Sequence, residues 1–167
     1  KAREHDGYAY DGAEASFELL ARQLLEGVPS YFEMESYRVD VERRFNAKGS
    51  LVTVSQAVAK MRVGNELFHE VGEGNGPVDA LAHAMNKALL RPYPAIEDMR
   101  LTDYKVRILT PQAGTAAVTR VMIESADGTG ARWSTVGISP NIIDASYQAL
   151  KDAIYYKLLR EKTRAAA

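Results

Sequence analysis

The chain has 167 residues, 46% of them apolar and 26% charged, with a formal net charge of -1. That near-neutral balance offers no broad attraction to phosphate backbones, and the absence of cysteine removes disulfides, thiolate nucleophiles and cysteine-based zinc sites together. The length suits one compact domain or two small halves sharing a core. No run approaches a membrane span, and the start lacks the apolar core of a signal peptide, so a cytoplasmic protein is expected.

Lys1 to Asp6 read as an internal segment of a longer polypeptide. Asp11-Gly12-Ala13-Glu14 has the pattern of a capping box, with Asp11 as N-cap, and Phe17, Leu20, Ala21 and Leu24 follow at helical spacing until Gly27-Val28-Pro29. Glu35 to Phe45 and Leu51 to Val63 are rich in Val and Thr and predict strands. Gly64-Asn65 is a hairpin turn leading to a third strand, Glu66 to Val71. The glycine-rich stretch Gly72 to Pro77 runs into an alanine-rich helix from about Pro77 to Leu89. Proline at its first position removes an N–H that has no intrahelical partner anyway. Arg91-Pro92-Tyr93-Pro94 makes a stiff connector.

The same order then recurs. Tyr104 to Leu109, Thr115 to Glu124 and Arg132 to Val136 predict strands, Asp127-Gly128-Thr129-Gly130 a turn, and Asn141 to Leu159 a long helix. Val71-Gly72, Asp79-Ala80, Ala84 and Ala88 reappear as Val136-Gly137, Asp144-Ala145, Ala149 and Ala153, every member displaced by 65 residues. The expected fold is therefore α+β: a helical lead-in over 1–34, then two pseudo-repeated βββα units packed together within 35–167, repeat one at about 35–91 and repeat two at about 100–160. The alanines at every fourth position make a smooth stripe on each helix, read as core packing.

Few residues carry chemistry by type and spacing. The Gly72 to Pro77 loop, opening a helix, either cradles an anion or is a tight turn; it lacks the lysine of a P-loop. Asp79 and Asp144 favour the positive end of a helix dipole. Asp79 stands four residues before His83, a carboxylate–imidazole spacing without a nucleophile or metal set beside it. His5, His69 and His83 show no metal-ligand spacing, and Glu33 and Glu35 alternate as solvent-facing strand residues. Tyr104 and Ile108 are read as sharing one strand face, with Val106 on the other. Arg160 to Arg164 reads as a solvated helix end. An RNA-binding βββα module would carry lysine and arginine at a helix start, where this chain has aspartates.

Several segments together resemble a known family. Gly7-Tyr8-Ala9-Tyr10-Asp11-Gly12-Ala13-Glu14-Ala15-Ser16-Phe17 is similar to the linker that follows the catalytic barrel of citramalate synthases. Glu73 to Ala80 and Ser139 to Ser146 resemble the two helix-start loops of the C-terminal regulatory, dimerising domain shared across the 2-isopropylmalate and homocitrate synthase family. Tyr104 to Leu109 and Gly114 to Val121 resemble strands between them.

The resemblance implies a parent transferase that condenses acetyl-CoA with pyruvate on a metal-dependent barrel, in branched-chain amino acid biosynthesis. It implies a homodimer whose regulatory domain binds isoleucine as the end-product inhibitor. The alternatives it leaves are a leucine-binding domain of a 2-isopropylmalate synthase and a purely structural dimerisation domain. No cofactor is expected in this chain, a divalent metal belonging only to the barrel, and no catalytic residue is expected; nucleic acid and membrane are not expected partners. The effector pocket implied comprises Val78, Asp79, Leu101, Tyr104, Ile108, Thr115, Val118, Pro140 and Ile142. Gly74, Asn75, Gly76, Pro77, Ser139 and Asn141 form the helix-start loops.

Overall fold

The computed structural model describes residues 10–166. His5, Lys1 to Asp6 and the Gly7-Tyr8-Ala9 part of the lead-in motif lie outside them. The described elements are helix α1 (Glu14–Leu25), strands β1 (Glu33–Phe45), β2 (Leu51–Val63) and β3 (Glu66–Gly74), helix α2 (Pro77–Leu90), strands β4 (Arg100–Ile108), β5 (Thr119–Ala126) and β6 (Arg132–Ser139), and helix α3 (Ile142–Arg160). Two antiparallel three-stranded sheets result, ordered β1-β2-β3 and β4-β5-β6, each followed by its helix. No helix among the described residues is long and apolar enough to cross a membrane.

The chain divides into two compact units. A nested unit comprises Pro29–Glu97 with the residues from Arg164 onward. A split unit comprises the described residues up to Val28 together with Asp98–Thr163, so α1 belongs with the second repeat.

Each unit lays a helix across its sheet, and the repeated Val-Gly pairs mark the crossing. A Cβ on Gly72 would stand 2.3 Å from the Ala84 nitrogen and 2.4 Å from the Ala80 oxygen, and one on Gly137 would stand 1.9 Å from the Ala145 oxygen. Only glycine lets backbone meet backbone this closely. The facing alanines Ala80, Ala84 and Ala88, and Ala145, Ala149 and Ala153, are fully buried, in keeping with their reading as core. In the split unit the strand also ties to buried helix carbonyls. Trp133 Nε1 donates to Ala153 O at 3.1 Å and Thr135 Oγ1 to Ala149 O at 2.8 Å.

The outer edge of β6 is sealed by side chains. Ser134 N–H donates to Glu14 Oε1 (3.0 Å), Val136 N–H to Ser16 Oγ (3.0 Å) and Ile138 N–H to Gln148 Oε1 (3.0 Å). An edge strand left open is a template for unwanted pairing, and α1 closes this one. In the nested unit the β3 edge is clamped from α2: Lys87 Nζ donates to Val71 O at 2.8 Å, and His83 Nδ1 lies 2.6 Å from Glu73 O. His83 and Gln148 are themselves 65 positions apart and touch carbonyls 65 positions apart, since Gln148 Nε2 donates to Ile138 O. The repeat thus extends to the clamps.

Several expectations are corrected. Asp11 is not an N-cap: it lies in a turn, Ala13 holds the cap position without a side-chain bond, and Glu14 gives its carboxylate to the β6 edge. Helix α1 buries Ala15, Ser16 and Leu19, leaving Phe17 and Leu24 of the expected stripe exposed. The segment 111–116 is a 3-10 turn opened by Pro111, which has no N–H to give a ladder, so β5 begins only at Thr119. Val106 lies on the same face as Tyr104 and Ile108, because side chains alternate with a period of two. The register pairs Tyr104, Val106 and Ile108 with Ile123, Val121 and Thr119. The glycine-rich stretch also proves shorter as a loop than expected, since β3 continues through Gly74.

Candidate functional site

The two helix starts differ in what they leave free. At α3 Asn141 is the N-cap: its Oδ1 accepts from Ile143 N–H at 2.8 Å and Asp144 N–H at 3.3 Å, while Ser139 Oγ accepts from Asn141 N–H at 3.0 Å. The N–H groups of Ile143 and Asp144 are thus engaged internally. Helix α2 has Gly76 at its cap position and no side-chain cap, with Pro77 supplying no N–H. Ala80 N–H reaches Gly76 O at 3.0 Å, and no hydrogen-bond partner for the N–H groups of Val78 and Asp79 is found among the described residues. Asp79 folds back over the loop, its Oδ2 accepting from Asn75 N–H at 2.9 Å. Its Oδ1 stands 3.7 Å from His83 Nε2, and both side chains are about half exposed. With His83 Nδ1 committed to Glu73 O, this imidazole is a strand clamp. Val78 and Asp79 are partly exposed, and Gly74 lies against the helix start, where a Cβ would stand 2.5 Å from the Ala80 nitrogen. A helix start with unengaged N–H groups beside a carboxylate can hold both ends of a zwitterion.

In the split unit the remaining expected residues gather along β4 and the start of α3. Helix α3 packs over β5 and β6 and leaves β4 uncovered. Leu101, Tyr104, Val106, Ile108 and Ile142 are therefore exposed although apolar. Tyr104 and Ile142 are joined through one buried side chain. Tyr104 Oη lies 2.9 Å from Ser146 Oγ, and Ser146 Oγ donates to Ile142 O at 2.7 Å. Tyr104 is held at its backbone too, its N–H donating to Asp103 Oδ1 at 2.8 Å. A bond from Lys105, followed by that N–H, keeps the Asp103 carboxyl below its usual range. Val118 closes the end of the strand pair: its carbonyl accepts from Leu109 N–H and its N–H donates to Thr110 Oγ1, both at 2.8 Å. Thr115 sits in the 3-10 turn rather than in a strand, and Pro140 is exposed just before α3. A shallow concavity of about 300 Å³ beside β3, lined by Glu66 to Glu70 and Arg91, contains none of the nine residues.

Sequence reasoning missed the most buried charges of the split unit. Lys157, 2% exposed, pairs with Asp127 Oδ2 at 3.0 Å, Asp98 Oδ1 at 3.1 Å and Glu161 Oε1 at 3.0 Å. Asp127 Oδ1 also takes the Thr129 hydroxyl at 2.6 Å. The only signal was the turn Asp127-Gly128-Thr129-Gly130. Arg160 is likewise more than a solvated end: it reaches Asp127 at 3.5 Å and lies 5.5 Å over the Trp133 ring. These groups hold the β5–β6 turn to the end of α3 and, through Asp98 and Arg100, to the start of β4. Among the described residues no group of three or more His, Asp or Glu is arranged to hold a metal ion.

Comparison with known proteins adds a name to this arrangement. The family described as the LeuA allosteric (dimerisation) domain matches residues 11–158. The (R)-citramalate synthase of Geobacter sulfurreducens is 47% identical over 158 residues, 95% of this chain and 29% of that protein. The (R)-citramalate synthase of Aquifex aeolicus is 42% identical over 97% of this chain and 30% of its own length. The 2-isopropylmalate synthase of Aquifex aeolicus is 36% identical over 65% of this chain and 19% of its own. The chain thus spans less than a third of the length of the curated relatives it matches.

Proposed function

The chain belongs to the LeuA allosteric (dimerisation) domain family, and from that premise we propose that it is the feedback-regulatory, dimerising part of a citramalate synthase and binds isoleucine. The observation that carries this reading is the contrast between the two helix starts. Both repeats run a strand into a helix, but α3 is capped by Asn141 whereas α2 keeps the N–H groups of Val78 and Asp79 unengaged beside a carboxylate. Those N–H groups suit the carboxylate of a free amino acid, and Asp79 suits its ammonium. Within the split unit, Leu101, Tyr104, Ile108 and Ile142 present the exposed apolar and phenolic surface that a branched side chain requires, and Val118, Thr115 and Pro140 complete the expected set there.

The citramalate branch is favoured because citramalate synthases match almost the whole chain and the isopropylmalate synthase about two thirds of it. On this reading condensation of acetyl-CoA with pyruvate belongs to the remainder of the parent transferase, in the cytoplasm, and this chain alone turns over neither. The partner is a second copy. Val41, Phe45 and Leu51 on the nested unit, and Val106 and Ile108 on the split unit, are each more than 40% exposed, apolar side chains that a second copy would cover.

Isothermal calorimetry and melting curves with each branched-chain amino acid test the sensor reading. Isoleucine at about 100 times its dissociation constant should add about 2.7 kcal/mol of stability. Leucine should bind about tenfold or more weakly, since shifting one methyl in an apolar pocket is worth about 1–3 kcal/mol. Asp79→Ala should lose affinity while melting near the wild-type temperature. No response to any branched-chain amino acid would leave a structural dimerisation domain.

A further inference from the structure

We infer that Ser146 is a positioning residue for the effector residues of the split unit, fixing the Tyr104 hydroxyl as a hydrogen-bond acceptor toward the ligand. The inference rests on the sensor reading above and deepens it. Ser146 is fully buried in the first turns of α3, and its hydroxyl donates to Ile142 O, a carbonyl that can only accept. Its one proton is thereby committed. In the 2.9 Å contact between Ser146 Oγ and Tyr104 Oη, the tyrosine must therefore be the donor. The phenolic proton points inward along the chain Tyr104, Ser146, Ile142 O. Tyr104, a residue 39% exposed, then keeps lone pairs on its part-buried oxygen and has no proton to offer. Such an oxygen accepts from an ammonium and cannot donate to a carboxylate. The sign of the interaction is set by a residue that no ligand touches.

Comparison of the repeats separates this device from the needs of the fold. Strand register makes Tyr37 the counterpart of Tyr104: Tyr37 pairs with Ala59, which pairs with Glu70, while Tyr104 pairs with Ile123, which pairs with Thr135. Glu70 and Thr135 stand 65 positions apart, as do Leu81 and Ser146. The nested unit builds the same strand and helix with a buried leucine where the split unit has the serine. The hydroxyl is thus dispensable for a βββα unit and present in the repeat that carries most of the effector residues.

The test is a double-mutant cycle in the full chain, reading isoleucine affinity by calorimetry and the ζ-carbon resonance of Tyr104 by NMR, assigned through Tyr104→Phe. Ser146→Ala should weaken isoleucine about threefold to tenfold, the worth of one hydrogen bond, and shift the Tyr104 ζ-carbon in the ligand-free protein. Tyr104→Phe, which deletes only the hydroxyl, should lose at least as much. Adding Ser146→Ala to Tyr104→Phe should then cost less than about twofold more, because the serine acts through that hydroxyl. Wild-type affinity in Ser146→Ala, an unmoved ζ-carbon, or losses that add in full would overturn the role of Ser146 while leaving the sensor intact. A wild-type chain that binds no branched-chain amino acid would instead remove the sensor reading itself.

Discussion

At the scale of single residues, the strongest electrostatic feature is the buried pair Asp127–Lys157. Asp127 is held well below the usual carboxylate range, first by the Thr129 hydroxyl and then by Lys157, against the opposing effect of burial. For Lys157, burial acts to lower the ammonium, but bonds to Asp127, Glu161 and Asp98 together outweigh it and leave it raised. A carboxyl depressed on folding stabilises above its unfolded value, near 3.9, and loses that contribution as pH falls toward its folded value. An ammonium raised on folding stabilises below about 10.4 and loses it as pH climbs through its folded value. Urea midpoints should therefore be level across neutral pH, falling below about pH 4 and above about pH 10, and Asp127→Asn should flatten the acid limb. Asp127→Ala should cost about 3 kcal/mol, the lower end for breaking a buried pair, because Asp98 and Glu161 still face Lys157. None of this was legible in the sequence. An Asp-Gly-Thr-Gly turn looks the same whether its aspartate faces water or a lysine 30 residues further on.

At the scale of elements, periodicity and turn chemistry located the strands and α-helices among the described residues but not the 3-10 turns, and the errors fall where tertiary contacts override local preference. Glu14 has the spacing of a capping box, yet the N–H of Ser134, 120 residues away, captures it. The α1 stripe Phe17–Leu24 looks like a core face because it is apolar, but the packed face is Ala15, Ser16 and Leu19, small enough to lie against a strand edge. Ser16 both accepts from Val136 N–H and donates to Asp152 at 2.7 Å. Ser16→Ala should therefore cost about 1–3 kcal/mol in chemical denaturation and speed hydrogen exchange at the Val136 amide, because the buried N–H loses its acceptor. Gly137→Ala tests the helix crossing. Its new methyl would enter the Ala145 carbonyl, so melting should drop by an amount at or above the usual 1–3 kcal/mol of overpacking. In the candidate site, the resemblance supplied Asp79 and Tyr104. Neither Ser146 nor the difference between an engaged and an unengaged helix start could be read from residue types alone, since both depend on which hydrogen bonds are already made.

At the scale of the whole molecule, the fixed displacement of 65 residues marks two units in the amino-acid sequence itself, and it persists in the glycine crossings and in the His83 and Gln148 clamps. What the displacement conceals is that the chain is not simply one repeat after another. Helix α1 comes first in sequence but belongs to the unit that finishes last, with the whole of Pro29–Glu97 intervening. Synthesis from the N-terminus therefore delivers α1 long before its partner strand exists. The nested unit has all three of its strands and its helix by Leu90 and can close while the rest is still being made. Helix α1 must wait for β6, across a loop whose closure entropy no local contact offsets. Pulse-labelled hydrogen exchange during refolding should protect the amides of β2 before those of Ser134 and Val136, and simultaneous protection would contradict this order. A nascent chain stalled anywhere between Glu97 and Ser139 would hold one unit complete but for its residues from Arg164 onward, and one orphaned helix, its buried-face serine and carboxylate still in water.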